Sequence, residues 1–205
     1  MVASGLVPSL AHPGGNLTGI SILATELDGK RQETLTEMVP ASRHIAALAD
    51  PGVTGPAHLD ALRNAAAMRS VELSIYPVRD REEIAAALHQ AQADGGTALN
   101  VLASGFLNAN RKIILDRTSA LRLPAMYQWP ENAEEGGLAA YGPRFAKLYR
   151  QLARQLVKLL HGAKPADIPV EQPTEFELVI NLQTAKALGL TIPESMLDRA
   201  DQVVE

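Results

Sequence analysis

At 205 residues the chain is long enough to bury a full core, as one large domain or two small ones. Its 46% hydrophobic and 20% charged residues are the balance of a folded globular protein and exclude a disordered one. A net charge of −4 with no basic cluster argues against nucleic acid as a partner, and the absence of cysteine removes disulfides, thiolate nucleophiles and thiolate metal sites.

The opening MVASGLVPSLAHPGG lacks the charged n-region and continuous apolar stretch of a secretory signal peptide. No apolar run approaches the ~20 residues of a membrane span. Within HPGGN, Gly15 and Asn16 read as a hinge: glycine absorbs backbone rotation, and asparagine supplies a local backbone hydrogen bond. A phosphate loop is the weaker reading, because the segment does not lead from a strand directly into a helix.

HIAALA, His44–Ala49, is a buried-strand pattern ending at Asp50-Pro51, followed by an alanine-rich helix over 57–68. A strand over 72–78 leads into a helix whose start carries Asp80 three residues before Glu83, a capping box. Ile84, Ala87, Leu88 and Ala91 form that helix's apolar stripe, and Gly95-Gly96 stops it. A strand over 98–103, the loop 104–110, a helix with Ile113, Ile114 and Leu121 on one face, and a strand over 124–128 complete the series. Strands separated by helices in this way predict an α/β fold, a doubly wound parallel sheet.

Gly136-Gly137 reads as a second crossing. The strongest helical pattern lies within 138–161: Gly142-Pro143 opens it, and Tyr149, Leu152, Ala153, Leu156, Leu159 and Leu160 recur at three- and four-residue steps. That stripe reads as packing into the core. GAKPADIPVEQPTEF, with Pro165, Pro169 and Pro173, suits an extended crossing, and residues 176–205 read as strand, short helix, glycine stop, proline turn and amphipathic segment.

Catalytic and cofactor signatures are absent from the sequence: there is no Gly-x-Ser-x-Gly elbow, phosphate loop, dinucleotide fingerprint or zinc helix. The five histidines are scattered, and Glu82-Glu83 and Glu134-Glu135 read as solvated charge. No enzyme activity, cofactor or metal site is expected. The loops after the strands hold hydroxyl, amide and carboxylate groups beside aromatics: DPGVTG from Asp50, SGFLN from Ser104 and QWPEN from Gln128. Such a mixture suits a small amphoteric ligand, at the strand ends where parallel sheets present their sites.

Residues 176–205, FELVINLQTAKALGLTIPESMLDRADQVVE, resemble the C-terminal signature of the TrpX-like substrate-binding proteins of ABC importers. GLVPSLAHPGGNLTGIS, LPAMYQWPENAEEGGLAAYGP and GAKPADIPVEQP agree with that resemblance, which covers most of residues 3 to 205. It implies a type I periplasmic-binding, Rossmann-like lobe, with 1–17 a fragment of a first lobe and hinge, and 18–136 a second lobe. It further implies that 137–175 is a first-lobe helix and crossing, and that 176–205 returns to the second lobe. The expectation is a chain lacking most of the N-terminal lobe, hinged at Gly15, Asn16, Gly136 and Gly137.

By position, Asp50, Thr54, Ser104, Phe106, Tyr127, Trp129 and Glu131 become the candidate ligand contacts. Some members of the family bind aromatic amino acids. Asp50-Pro51-Gly52 departs from the commoner Asn-Pro turn, so an acid replaces an amide where the ligand is held. The resemblance implies capture of a small solute such as an amino acid, an ABC permease as partner of the full-length protein, and a periplasmic or extracytoplasmic location. An effector-sensing domain of a regulator and a Rossmann-like enzyme are the alternatives. Without its companion lobe the leucine stripe calls for a homodimer or domain swap.

Overall fold

The computed structural model describes Val2 and residues 5–205. The chain divides into two compact units: Met1–Leu23 with Pro143–Phe176, and Ala24–Gly142 with Glu177–Glu205. Met1, Ala3 and Ser4 of the expected 1–17 fragment lie outside the described residues.

The larger unit is a seven-stranded sheet alternating with helices. In chain order these are α1 (Asp28–Met38), β1 (His44–Ala49), α2 (Pro56–Ala67), β2 (Glu72–Pro77), α3 (Arg81–Ala93) and β3 (Ala98–Val101). There follow α4 (Gly105–Ala109), α5 (Arg111–Ala120), β4 (Ala125–Tyr127), α6 (Pro130–Glu134) and β5 (Ala139–Gly142). After the excursion through the smaller unit come β6 (Glu177–Asn181), α8 (Leu182–Leu188), α9 (Glu194–Leu197) and β7 (Gln202–Val204). The strand order is β2-β1-β3-β4-β5-β6-β7.

Strand periodicity divides the core between the two faces of this sheet. Ile45, Ala47 and Ala49 of β1 pack with Leu35, Met38, Leu62 and Met196, whereas Ala46 and Leu48 pack with Ile84, Leu88 and Ile114. Helices therefore cover both faces, as the doubly wound reading requires. β5 and β6 form the one antiparallel pair among the described strands. The chain leaves the larger unit at Gly142 and re-enters at Glu177, its register partner, so the returning strand has to run back along the departing one.

β5 is a strand where no strand is expected. The larger unit therefore extends to Gly142, past the crossing anticipated at Gly136-Gly137. α1 is a second addition. Its sequence, DGKRQETLTEM, is too polar to show an apolar period, yet Asp28, Arg31, Gln32, Thr34, Leu35 and Met38 are buried.

The start of α3 bears out the capping box with one shift. Asp80 accepts a hydrogen bond from the Glu83 N–H (3.0 Å), while the Glu83 carboxylate accepts from the N–H of Arg79, not of Asp80 (2.7 Å). Asp80→Ala is expected to lower stability by about 1 kcal/mol, read as a fall of about 2–4 °C in Tm.

In the smaller unit, residues 10–21 and 166–171 join through the parallel bridge Ile20 to Glu171, the bond from Val170 N–H to Leu10 O (2.8 Å) and that from the Thr18 hydroxyl to Ile168 O (2.7 Å). α7 (Phe145–Leu160) begins just past Gly142-Pro143, where the helical pattern places it. Its stripe does not pack into a core. Tyr149, Leu152, Leu156 and Leu160 are 65, 44, 54 and 78% exposed. The buried flank is that of Leu148 and Gln155, whose amide reaches Pro169 O (3.4 Å). Amphipathic spacing identifies which face is apolar; it does not supply the surface that covers it.

A candidate ligand site at the sheet's switch point

From β1 the chain winds first outward to β2, then crosses back to β3 on β1's other side. Such a reversal leaves a crevice beyond the C-terminal ends of the two central strands. The loops from Asp50 and from Leu102 occupy it. Asp50 closes its own loop: its carbonyl accepts from the N–H groups of Val53 (3.1 Å) and Thr54 (2.9 Å), and its Oδ1 accepts from Gly52 (2.8 Å). Across the switch point, Ser104 Oγ donates to Asp50 Oδ2 at 2.6 Å. The same hydroxyl oxygen caps α4 by accepting from the N–H groups of Phe106 (3.0 Å) and Leu107 (3.3 Å).

Asp50, Thr54, Ser104 and Phe106 are thus brought to one place. Thr54 is 4% exposed, and its hydroxyl has no hydrogen-bond partner among the described residues. The same holds for the buried carbonyl oxygens of Asn108 and Asn132. Buried polar atoms in this condition are costly; Asn108 and Asn132 line one crevice with Ser104, and Thr54 lies in the loop that Asp50 closes.

Tyr127 is not at the loop surface. It is 1% exposed in the core beneath α5, its hydroxyl 2.9 Å from Thr118 Oγ1, and burial raises its pKa while the Thr118 hydrogen bond lowers it. Gly137 lies against the ring so closely that an added Cβ would stand 2.7 Å from Cε2. Strand parity is the reason: as the last residue of β4, Tyr127 points into the helix layer and not beyond the strand end. Trp129, the residue before α6, is 6% exposed, deeper than a rim position. With Tyr127, Ser104, Asn108 and Asn132 it lines a crevice of about 10 Å³, room for about one water. Glu131 is half-buried in the first turn of α6.

The hinge candidates separate. Gly15 and Asn16 are exposed in the smaller unit, whereas Gly136, at φ +109°, and Gly137 lie inside the larger unit between α6 and β5. A roomier cavity of about 490 Å³, lined by Thr118, Arg122, Leu123, Gly137 and Leu188, opens at the opposite, N-terminal ends of β4 and β5. Parallel sheets present ligand contacts at the other end, so volume is a poor guide here.

Sequence reasoning missed the groups behind the loops. Asp28 and Arg31 are both 0% exposed and paired at 2.6 Å. Burial lowers the Arg31 pKa, while the Asp28 carboxylate raises it. Asn100, in the middle of β3 and 0% exposed, donates to the Asp28 carbonyl (3.3 Å). The signals available were an acid three residues before an arginine and an amide inside an apolar strand.

The family model described as "ABC transporter substrate binding protein" matches residues 1–204. A tyrosine-binding protein of Clostridioides difficile (strain R20291) is 25% identical over 190 residues, which are 92% of this chain and 54% of that protein. The chain thus spans about half the length of that curated relative. A crystal structure of the ABC domain in complex with L-Trp from Streptococcus pneumoniae superposes with a TM-score of 0.85 at 26% identity, over 99% of this chain and 68% of that one. A ligand-free, open substrate binding protein with adhesive properties from Clostridium difficile shares the fold, with a TM-score of 0.65 at 23% identity over 99% of this chain and 68% of that one.

Proposed function

This chain belongs to the ABC transporter substrate-binding protein family, and on that premise we propose that its switch-point loops form one wall of a binding site for an amino acid with an aromatic side chain. The family is one of substrate-binding proteins, not enzymes. The observation that carries the reading is the hydrogen-bonded pair of Asp50 and Ser104, set beside the unpartnered hydroxyl of Thr54.

Chemically, the Asp50 carboxylate suits the ligand's ammonium group, with Glu131 as a second acid. The unpartnered hydroxyl of Thr54 suits its carboxylate, and Phe106 suits its ring. The relatives that bind tryptophan and tyrosine support this choice. In the full-length protein the second wall would come from the companion lobe, with closure at the chain crossings and delivery to an ABC permease on the extracytoplasmic side as the next steps. The comparisons lend no support to the homodimer or domain swap expected of the bare α7 stripe.

Calorimetry with L-tryptophan and L-tyrosine on the full-length protein, which supplies both walls, tests the reading. Asp50→Asn preserves the side chain's shape but removes the charge and one of the two acceptor oxygens used by Gly52 and Ser104. It is expected to weaken binding about tenfold or more, the worth of a hydrogen bond to a charged group. Equal affinity of the full-length protein with and without the substitution, or no binding of either amino acid by the full-length protein, sinks the proposal. Addition of the bound amino acid is also expected to shift the emission of Trp129, the single tryptophan.

A further inference from the structure

Behind both candidate loops stands one carboxylate. Asp28 Oδ1 accepts from the backbone N–H of Ala103 at 3.0 Å, the residue immediately before Ser104. Its Oδ2 lies 3.1 Å from Nε2 of His58, in the first turn of α2 and directly after the Asp50 loop. The His58 N–H in turn donates to Gly55 O (3.1 Å), the end of that loop.

Arg31 grips the same carboxylate through Nη2 and reaches two backbone carbonyls with its Nη atoms, while its Nε has no hydrogen-bond partner among the described residues. Nη2 also donates to Ala24 O (2.7 Å), and Nη1 donates to Tyr141 O (3.1 Å). Ala24 is where the chain enters the larger unit, and Tyr141 is one residue before Gly142, where it leaves. The planar guanidinium fork therefore joins the two exits of the larger unit to the carboxylate that fixes both loops.

We infer that Asp28 and Arg31 are positioning residues of the ligand site, a buried strut through which the chain crossings and the loops of Asp50 and Ser104 move together. The inference rests on the reading of those loops as a ligand wall. A pair serving stability alone has no need of four backbone and side-chain partners at these particular places. Displacement of either crossing pulls on Arg31, hence on Asp28, and hence on the N–H beside Ser104 and the helix that ends the Asp50 loop.

Amide hydrogen exchange on the unmodified chain and on Arg31→Lys tests this without any ligand. Lysine keeps the charge opposite Asp28 but cannot reach Ala24 O and Tyr141 O at once. The N–H groups of Ala103, Val53 and Thr54 are expected to exchange about tenfold faster or more, with those of β2 and α3 unchanged. Uniform acceleration over the larger unit would reduce the pair to a stabilising one, and no acceleration would remove the strut; either result overturns the inference.

Should Arg31→Lys fail to fold, His58→Ala cuts the half-exposed arm alone. Val53 and Thr54 are then expected to exchange faster while Ala103 keeps its protection; equal protection at all three overturns the inference. The two readings fail separately. Unchanged L-tryptophan affinity in Asp50→Asn removes the ligand wall, whereas a global or absent exchange response removes the strut.

Discussion

Arg31→Met is expected to lower the stability of the larger unit by about 3–5 kcal/mol, the range for removing one partner of a buried ion pair. Methionine fills much of the same volume, so the loss is electrostatic more than steric. Asp28 stays 0% exposed and keeps only the Ala103 N–H and His58 as partners, and the carbonyls of Ala24 and Tyr141 lose their donors. Urea unfolding followed through Trp129 reads the effect in the right unit. The double variant Asp28→Asn/Arg31→Met is expected to recover part of the loss, since it leaves no unmatched charge buried. A midpoint within error of the unmodified chain would show that water reaches the pair.

The second large effect is steric. A Cβ on Gly142 would stand 2.0 Å from the carbonyl oxygen of Gln128, backbone against backbone. Gly142 sits in β5 and pairs with Glu177, so neither side of the clash can yield without parting β5 from β4 or from β6. Gly142→Ala is accordingly expected to cost about 3 kcal/mol or more, the upper part of the range for overpacking a tight site. The contrast is Gly15→Ala. At Gly15 the nearest atom to an added Cβ is 4.0 Å away, and a melting temperature within about 1–2 °C of the original is expected. A Gly142→Ala melting curve superimposable on that of Gly15→Ala would contradict the packing described here.

Elements built from local rules were legible in the sequence. HIAALA, a short apolar run ending at Asp50-Pro51, reads as a buried strand and lies between β2 and β3; Asp80 and Glu83 announced α3; Gly189, at φ +73°, ends α8 as the glycine stop predicted. Elements that owe their place to distant partners were not. AAYG is too short and too small to announce β5, whose existence depends on pairing with Ile180 and its neighbours across the excursion. α1 is held by hydrogen bonds to Ala103, Asn100 and Tyr141 together with Leu35 and Met38, too few apolar residues to show a period. At the site, position in a loop was enough to bring Asp50 and Ser104 together. For Tyr127 the deciding fact was the parity of a three-residue strand, which depends on where that strand stops.

The pairing of Gly142 with Glu177 also has a consequence for biosynthesis. β5 and β6 are the two arms of a hairpin whose turn has been replaced by α7 and the proline-rich stretch after it. While the chain is being made, β1 to β5 emerge and can pair in sequence, but the exposed edge of β5 must wait for the whole excursion before β6 arrives to cover it. Apolar strand edges left waiting are where nascent chains pair with the wrong neighbour. The speed with which α7 forms its own local turns and brings Phe176 back beside Pro143 therefore sets how long that edge stays open to chaperones or to other copies of the chain.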